Sequence, residues 1–149
     1  MSIQDQLLEA MKVAMKAKEP LRLSTIRMAR TALKNAEIEA RQVLDEAAAI
    51  RVLSTLVKQR REAAEAYRDS RPELAEKEEL EVIVLQEFLP VQFSAAELES
   101  LVVRAVAESG ACSIRDMGAV MKLVTPQTTG RADGKLVSEL VRKQLAGLS

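Results

Sequence analysis

The sequence contains no histidine and no tryptophan, and only one cysteine, two phenylalanines and one tyrosine in 149 residues. Each shortage closes off a kind of chemistry. Without imidazole, the usual zinc ligand and the usual general base are missing. A lone Cys112 can form neither an internal disulfide nor a Cys/His dyad, and it fits a reducing cytoplasm. Aromatics amount to 2%. The core must therefore be made of Leu, Val, Ile, Ala and Met, which suits packed helices better than a β-sandwich. No apolar run approaches the ~18 residues of a membrane-spanning helix. The opening MSIQDQLLEA brings acids early and no apolar stretch, unlike a secretory signal. Formal net charge is zero, so attraction to nucleic acid or membrane has to come from local patches.

Hydrophobic residues make up 48%, enough for a packed core in one ordinary domain or two small ones. They recur at helical spacing almost throughout. Ser2 and Asp5 form a weak start box for a helix carrying Ile3, Leu7, Met11 and Ala14. Pro20 separates it from a second helix at about 21–41, with Ile26, Ala29, Ala32, Leu33, Ala36 and Ala40 on its apolar side. Asp45 caps a third helix reaching about Arg68, with Ile50, Leu53, Val57, Ala64 and Tyr67 inward. Pro72 opens an acid-rich fourth helix that Pro90 ends. Residues 90–94 form the candidate boundary. Ser94 and Glu97 make a clean capping box, and Gly110 closes the helix that follows. Ser113 and Asp116 start another helix, in which Ile114, Met117, Met121 and Val124 share a face with Gly118. Pro126 and the polar run to Gly130 read as a loop. Asp133 caps a last helix with Leu136, Val137, Leu140, Val141 and Leu145 on its core side. The expectation is an all-α fold: an N-terminal bundle of about four helices over residues 1–90, then a small three-helix tail domain over 91–149. The lack of a long heptad pattern favours a monomer.

Charge and glycine are both unevenly spread. Residues 1–68 hold 13 Lys and Arg against 9 Asp and Glu, a net of +4, whereas residues 69–110 hold 3 against 10. Residues 111–149 return to 6 against 3. Arg27, Arg30, Lys34 and Arg41 fall within about 60° of one another around the second helix. Such a stripe is either a solvated rim or a phosphate track. Lys58, Arg60 and Arg61 precede Glu62 and Glu65, and i,i+4 pairing makes that face self-neutralising. The acids at 73–81 can in principle hold a metal, but no His or glycine loop accompanies them. All five glycines lie at or after Gly110, and three fall within DMGAVMKLVTPQTTGRADGK at 116–135. Glycine serves where backbone turns to positive φ or meets something closely.

The run RLSTIRMARTALKNAEIEAR at 22–41 resembles the second helix of the YqeY family. VKQRREAAEAY at 57–67, AEKEELEVIVLQEFLP at 75–90 and DMGAVMKLVTPQTTGRADGKLVSELV at 116–141 resemble its later blocks, in the family's order. That family is similar to the C-terminal tail of the GatB component of aspartyl/glutamyl-tRNA amidotransferase. The resemblance implies the two-part helical fold. It also implies a tail that helps hold tRNA while chemistry happens elsewhere, and it brings the label of a carbon–nitrogen ligase with glutamine as amide donor. The residues themselves offer no activated nucleophile with its base, no Ser pair with Lys, and no phosphate-cradling glycine loop. No catalytic residue, metal ligand or cofactor is therefore assigned.

The first expectation is a non-catalytic accessory protein that binds tRNA or another structured RNA, with amidotransferase or synthetase components as further partners and no membrane. The carriers are Lys122, Arg131, Lys135, Arg142 and Lys143 in the tail, and Arg27, Arg30 and Lys34 in the bundle. Gly118, Gly130 and Gly134 are the points of close backbone approach, with helix packing and a helix-start turn as the competing explanations. The second expectation is a protein–protein adaptor using the acidic fourth helix and the Met117/Met121 face.

Overall fold

The computed structural model describes residues 1–148. The chain divides into two compact units, Met1–Pro90 and Val91–Ser149, each with its own core. Among the described residues there are helices and turns but no strand, an all-α fold.

The first unit holds α1 (Ile3–Ala17), α2 (Pro20–Ala40), α3 (Glu46–Tyr67) and α4 (Pro72–Gln86). Ser2 Oγ accepts from the Asp5 N–H at 3.1 Å, and the Asp5 carboxylate accepts from the Ser2 N–H at 3.3 Å. The box is thus complete despite its Asp in place of Glu. Pro20 stands in the first turn of α2, where a missing N–H leaves no bond unmade. Asp45 Oδ1 accepts from the Ala48 N–H at 2.8 Å and starts α3. Ile3, Leu7 and Ala14 of α1 then meet Ile26, Ala29 and Leu33 of α2 in one core. Leu53 and Val57 of α3 and Val82 and Leu85 of α4 complete it. Ala40 and Tyr67, read as core residues, are exposed, because both lie in the last residues of their helices.

α4 stops at Gln86 rather than at Pro90. Proline disfavours the helical region for the residue before it. The chain responds by tightening. The N–H groups of Glu87, Phe88 and Leu89 bond back three residues, to Val84, Leu85 and Gln86, at 3.3, 3.1 and 3.2 Å.

The second unit holds α5 (Ala95–Ser109), a 3-10 turn (Ile114–Asp116), α6 (Met117–Thr128) and α7 (Gly134–Ala146). Ser94 and Glu97 exchange both capping bonds, each at 3.1 Å. The Ser94 hydroxyl, and then its N–H, hold the Glu97 carboxyl below its usual value, with a lesser pull from Arg131. Gly110 ends α5 at φ +71°. Leu98 and Val102 of α5, Val120 and Val124 of α6, and Val137 and Val141 of α7 form the core.

Three readings of this unit need correcting. α6 runs through Pro126 to Thr128, where a loop was expected. A proline this close to a helix end leaves only the Lys122 carbonyl without its donor, and Lys122 is an exposed residue. Thr128 and Thr129 hydroxyls then bond to the Val124 and Thr125 carbonyls at 3.1 and 2.8 Å. Leu136 is 43% exposed, because the buried row of α7 is Val137, Val141 and Leu145. Ile114 and Gly118 also miss the core: the 3-10 turn breaks helical phase, and a Cβ on Gly118 would meet nothing within 4 Å.

The basic face of α3 also differs from its expected pairing. Arg60 turns inward, with Nε 2.9 Å from Glu81 and 3.5 Å from Glu78 on α4, and its guanidinium also contacts Met28 Sδ. Lys58 and Glu62 make no ion pair among the described residues. Burial, and then Glu78 beside it, raise the Glu81 carboxyl above its usual value, and Arg60 opposes both. A raised folded value means that Glu81 binds a proton more readily in the folded chain, so its share of stability declines as pH rises through that value. Arg60→Ala leaves two inward carboxylates facing each other. The expected loss at pH 7 is about 2–3 kcal/mol, less than for a fully buried pair because the side chains keep some solvent. Urea unfolding at pH 7 and pH 5 checks this, and the loss should shrink at the lower pH as Glu81, whose carboxyl is raised, takes up its proton.

Candidate functional site

Each unit is close to neutral. Residues 1–90 carry 15 basic and 16 acidic side chains, and residues 91–149 carry 7 and 6. Anything that attracts an anion must therefore be a place where cations are left over locally. One such place is a groove of about 830 Å³ between α1 and α2. Its floor is Leu8 and Met11 of α1, half-buried, with Leu33 of α2 beneath. Its α2 edge carries Arg27, Arg30 and Lys34. The stripe exists because these positions recur every three to four residues beside the row Ile26, Ala29 and Leu33 that docks on α1.

Two carboxylates also line the groove, but both are engaged by backbone. Asp5 accepts from the Ser2 N–H as part of the α1 cap. Glu37 Oε2 accepts from the Leu44 N–H at 3.0 Å and holds the α2–α3 connection. Arg27 and Lys34 are exposed and make no ion pair among the described residues. Arg30 is half-buried, its Nη1 3.1 Å from Met11 Sδ. Arg41, the fourth member of the expected stripe, lies outside the helix as its left-handed cap at φ +56° and does not line the groove.

The second unit distributes its cations differently. Lys122 on α6 and Lys135, Arg142 and Lys143 on α7 are exposed. Lys135 and Arg142 share a face, but Glu139 stands on that face between them, also exposed. Arg131 is not a free cation. Its Nε donates to the Val91 carbonyl at 2.9 Å, and its guanidinium lies 3.9 Å from the centre of the Phe93 ring. The Phe93 N–H donates to the Arg131 carbonyl at 2.8 Å, and Gln92 Nε2 donates to the Gly130 carbonyl at 2.7 Å. Gly130 is buried at φ +78°, a turn that an L side chain rarely accepts. The GRADGK segment is thus a joint that ties residues 91–93 to the turn after α6. Gly134 is exposed, a Cβ there would meet nothing within 4 Å, and Asp133 caps α7 through the Lys135 N–H at 3.2 Å.

Met117 and Met121 are half-buried against the core of this unit, so they are not the open apolar face that an adaptor was expected to use. The acids of α4 are partly engaged as well: Glu78 and Glu81 with Arg60, Glu79 with Arg68 at 3.6 Å. Among the described residues no three acidic or cysteine side chains gather as metal ligands. The role of Arg60 was legible in principle, since it falls in register with Leu53, Val57 and Ala64 on the apolar row of α3. A charge in that row signals an inward ion pair. Gln4, Thr31 and Asn35, the polar lining of the groove, left no signal of their own.

Fold and site together define a two-unit helical protein with a cationic groove between α1 and α2. The family model described as Yqey-like protein matches residues 4–145, and the chain belongs to that family. Among curated proteins it is similar to the altered inheritance of mitochondria protein 41, mitochondrial, of Eremothecium gossypii, 36% identical over 101 residues, covering 66% of this chain and 55% of that one. The protein of the same name from Lachancea thermotolerans is 37% identical over 91 residues, covering 60% and 49%. The chain thus matches about half the length of these relatives. No helix among the described residues is long and apolar enough to cross a membrane.

The contacts of Arg131 make it a stabilising residue. Arg131→Ala should cost about 1–2 kcal/mol, from a hydrogen bond and a partly exposed cation–π contact. It should also speed hydrogen exchange at the Phe93 amide. A thermal midpoint and Phe93 exchange rate equal to those of the parent would remove the joint from the account.

Proposed function

We propose that this chain is a non-catalytic RNA-binding accessory protein, with tRNA as its first candidate partner. The observation that carries the reading is the α1–α2 groove, lined by Arg27, Arg30 and Lys34 against Asp5 and Glu37, where both carboxylates accept from backbone N–H groups and none of the three cations is ion-paired to them. Phosphate contacts supply most of the affinity of such binding and make it strongly salt-dependent. The exposed Lys122, Lys135, Arg142 and Lys143 add a second set of cations, while Arg131 is withdrawn from that set by its internal contacts. The resemblance to an amidotransferase tail supports the same reading, with any part in amide transfer being that of an accessory. A reducing cytoplasm is the compartment proposed for it, supported by the single exposed thiol of Cys112. The adaptor alternative is weakened by the inward Met117 and Met121.

Fluorescence-anisotropy titration with total tRNA at 50 and 200 mM salt tests the proposal. The dissociation constant should rise at least tenfold over that range. Arg27→Glu with Lys34→Glu should weaken binding about tenfold or more at the lower salt, with the thermal midpoint unchanged because both side chains are exposed. Salt-independent binding, or none at either salt, counts against the proposal.

A further inference from the structure

The groove offers more than a row of charges. A phosphate track needs only cations, and an exposed helix edge provides those without a recess. Here the cations border a depression with an apolar floor of Leu8 and Met11. Its volume, about 830 Å³, lies within the roughly 300–1,000 Å³ of sites that take small molecules. Two amide side chains also line the groove. Gln4 uses its Nε2 to reach the Leu44 carbonyl at 3.2 Å, which fixes the side chain and leaves its oxygen as an acceptor. The Asn35 amide has no partner among the described residues. The Arg30 guanidinium is held against Met11 Sδ at the border between floor and rim.

We propose that the α1–α2 groove binds one unstacked nucleotide, its base lying on Leu8 and Met11 and its phosphate held by Arg27, Arg30 and Lys34. Each part of the groove then has a matching part of the ligand. Bases splayed out of structured RNA present a flat apolar face and hydrogen-bonding edges, and they stack on guanidinium planes as well as on aromatic rings. This chain has almost no aromatic residues, so the apolar side chains of Leu8 and Met11 supply the surface for the base face. Gln4 offers an acceptor, and Asn35 a donor and an acceptor, to the base edge. A phosphate alone would use the cations and leave floor and amides unused. A hydrophobic peptide would use the floor and leave the groove's charged groups, three cations against Asp5 and Glu37, desolvated without a matching group on the ligand. Arg27 and Lys34 are seven residues apart, roughly 10 Å along the helix, so Arg30 midway between them is the cation nearest the phosphate of a nucleotide seated on the floor. The inference rests on the RNA-binding reading and adds to it the place of one base. A free nucleoside 5′-monophosphate carries the same chemistry as a nucleotide within RNA.

Methyl and side-chain-amide NMR on the full chain tests this with four probes: nucleoside 5′-monophosphates, ribose 5-phosphate, inorganic phosphate, and a short single-stranded RNA. Met11 is one of six methionines, so its methyl signal is assignable by single substitution. The monophosphates should shift the Met11 methyl and the Gln4 and Asn35 amides. Ribose 5-phosphate and phosphate should bind at least tenfold more weakly and leave the Met11 methyl in place. Asn35→Ala, at an exposed position, should reduce nucleotide affinity and narrow the difference between bases without lowering the thermal midpoint. Tighter binding of the RNA than of the monophosphates would identify the polymer as the source; equal binding would identify the free nucleotide. Equal responses to nucleotide and ribose 5-phosphate, or no shift of Met11 with any nucleotide or RNA, overturn the base-binding groove. If tRNA binding persists in that case and weakens with Arg27→Glu and Lys34→Glu, the general RNA reading stands without it. If tRNA binding is also absent, both fall.

Discussion

The pairing of α1 with α2 through small aliphatic side chains is the constraint on which the groove depends. With so few aromatic residues, the helices of the first unit have to meet through Leu, Ile, Val and Ala. Ala14 of α1 and Ala29 of α2 are both buried in the shared core. That packing decides which positions of α2 stand at the border between the buried row and solvent. Arg27, Arg30 and Lys34 occupy that border because Ile26, Ala29 and Leu33 occupy the interior. Docking of the helices and presentation of the cations are therefore one geometric event.

Charged residues in this chain fall into two kinds, separated by what lies opposite them. Arg60 and Arg131 are bound internally, the first to Glu78 and Glu81, the second to a carbonyl and an aromatic face. Their contribution is to position α3 on α4 and residues 91–93 on the turn after α6. Arg27, Lys34, Lys122, Arg142 and Lys143 have no counter-ion among the described residues. A formal net charge of zero hides this division completely. Balanced totals coexist with a local surplus because three cations and two carboxylates line the groove, and both carboxylates turn to backbone N–H groups rather than to those cations.

Membership of the YqeY-like family agrees with the blocks at 22–41, 57–67, 75–90 and 116–141 that carry the resemblance. The glycine-marked block is the most prominent of these, and the structure gives it a local purpose. Gly130 makes a left-handed turn, its carbonyl receives Gln92, and Arg131 fastens the start of the unit. A conspicuous motif can thus reflect the closing of a fold, while a plainer helix edge carries the better candidate for binding.

Helix starts were decided by the sequence alone, because they depend on residues within four positions of each other, and the absence of imidazole chemistry follows directly from the composition. Ser2 with Asp5, Asp45 with Ala48, and Ser94 with Glu97 form their bonds within one turn, so order along the chain suffices to place them. The tertiary structure decided whatever depends on a partner distant in sequence. Arg60 meets acids from another helix, Arg131 meets a carbonyl 40 residues away, and Met117 and Met121 turn toward a core that three helices share. The recess beside Arg27, Arg30 and Lys34 also belongs to this second group, since its floor comes from α1 and its rim from α2. Short-range bonds are written in residue order. A surplus of charge over an apolar floor arises only once two helices have packed and each carboxylate has found, or failed to find, a donor.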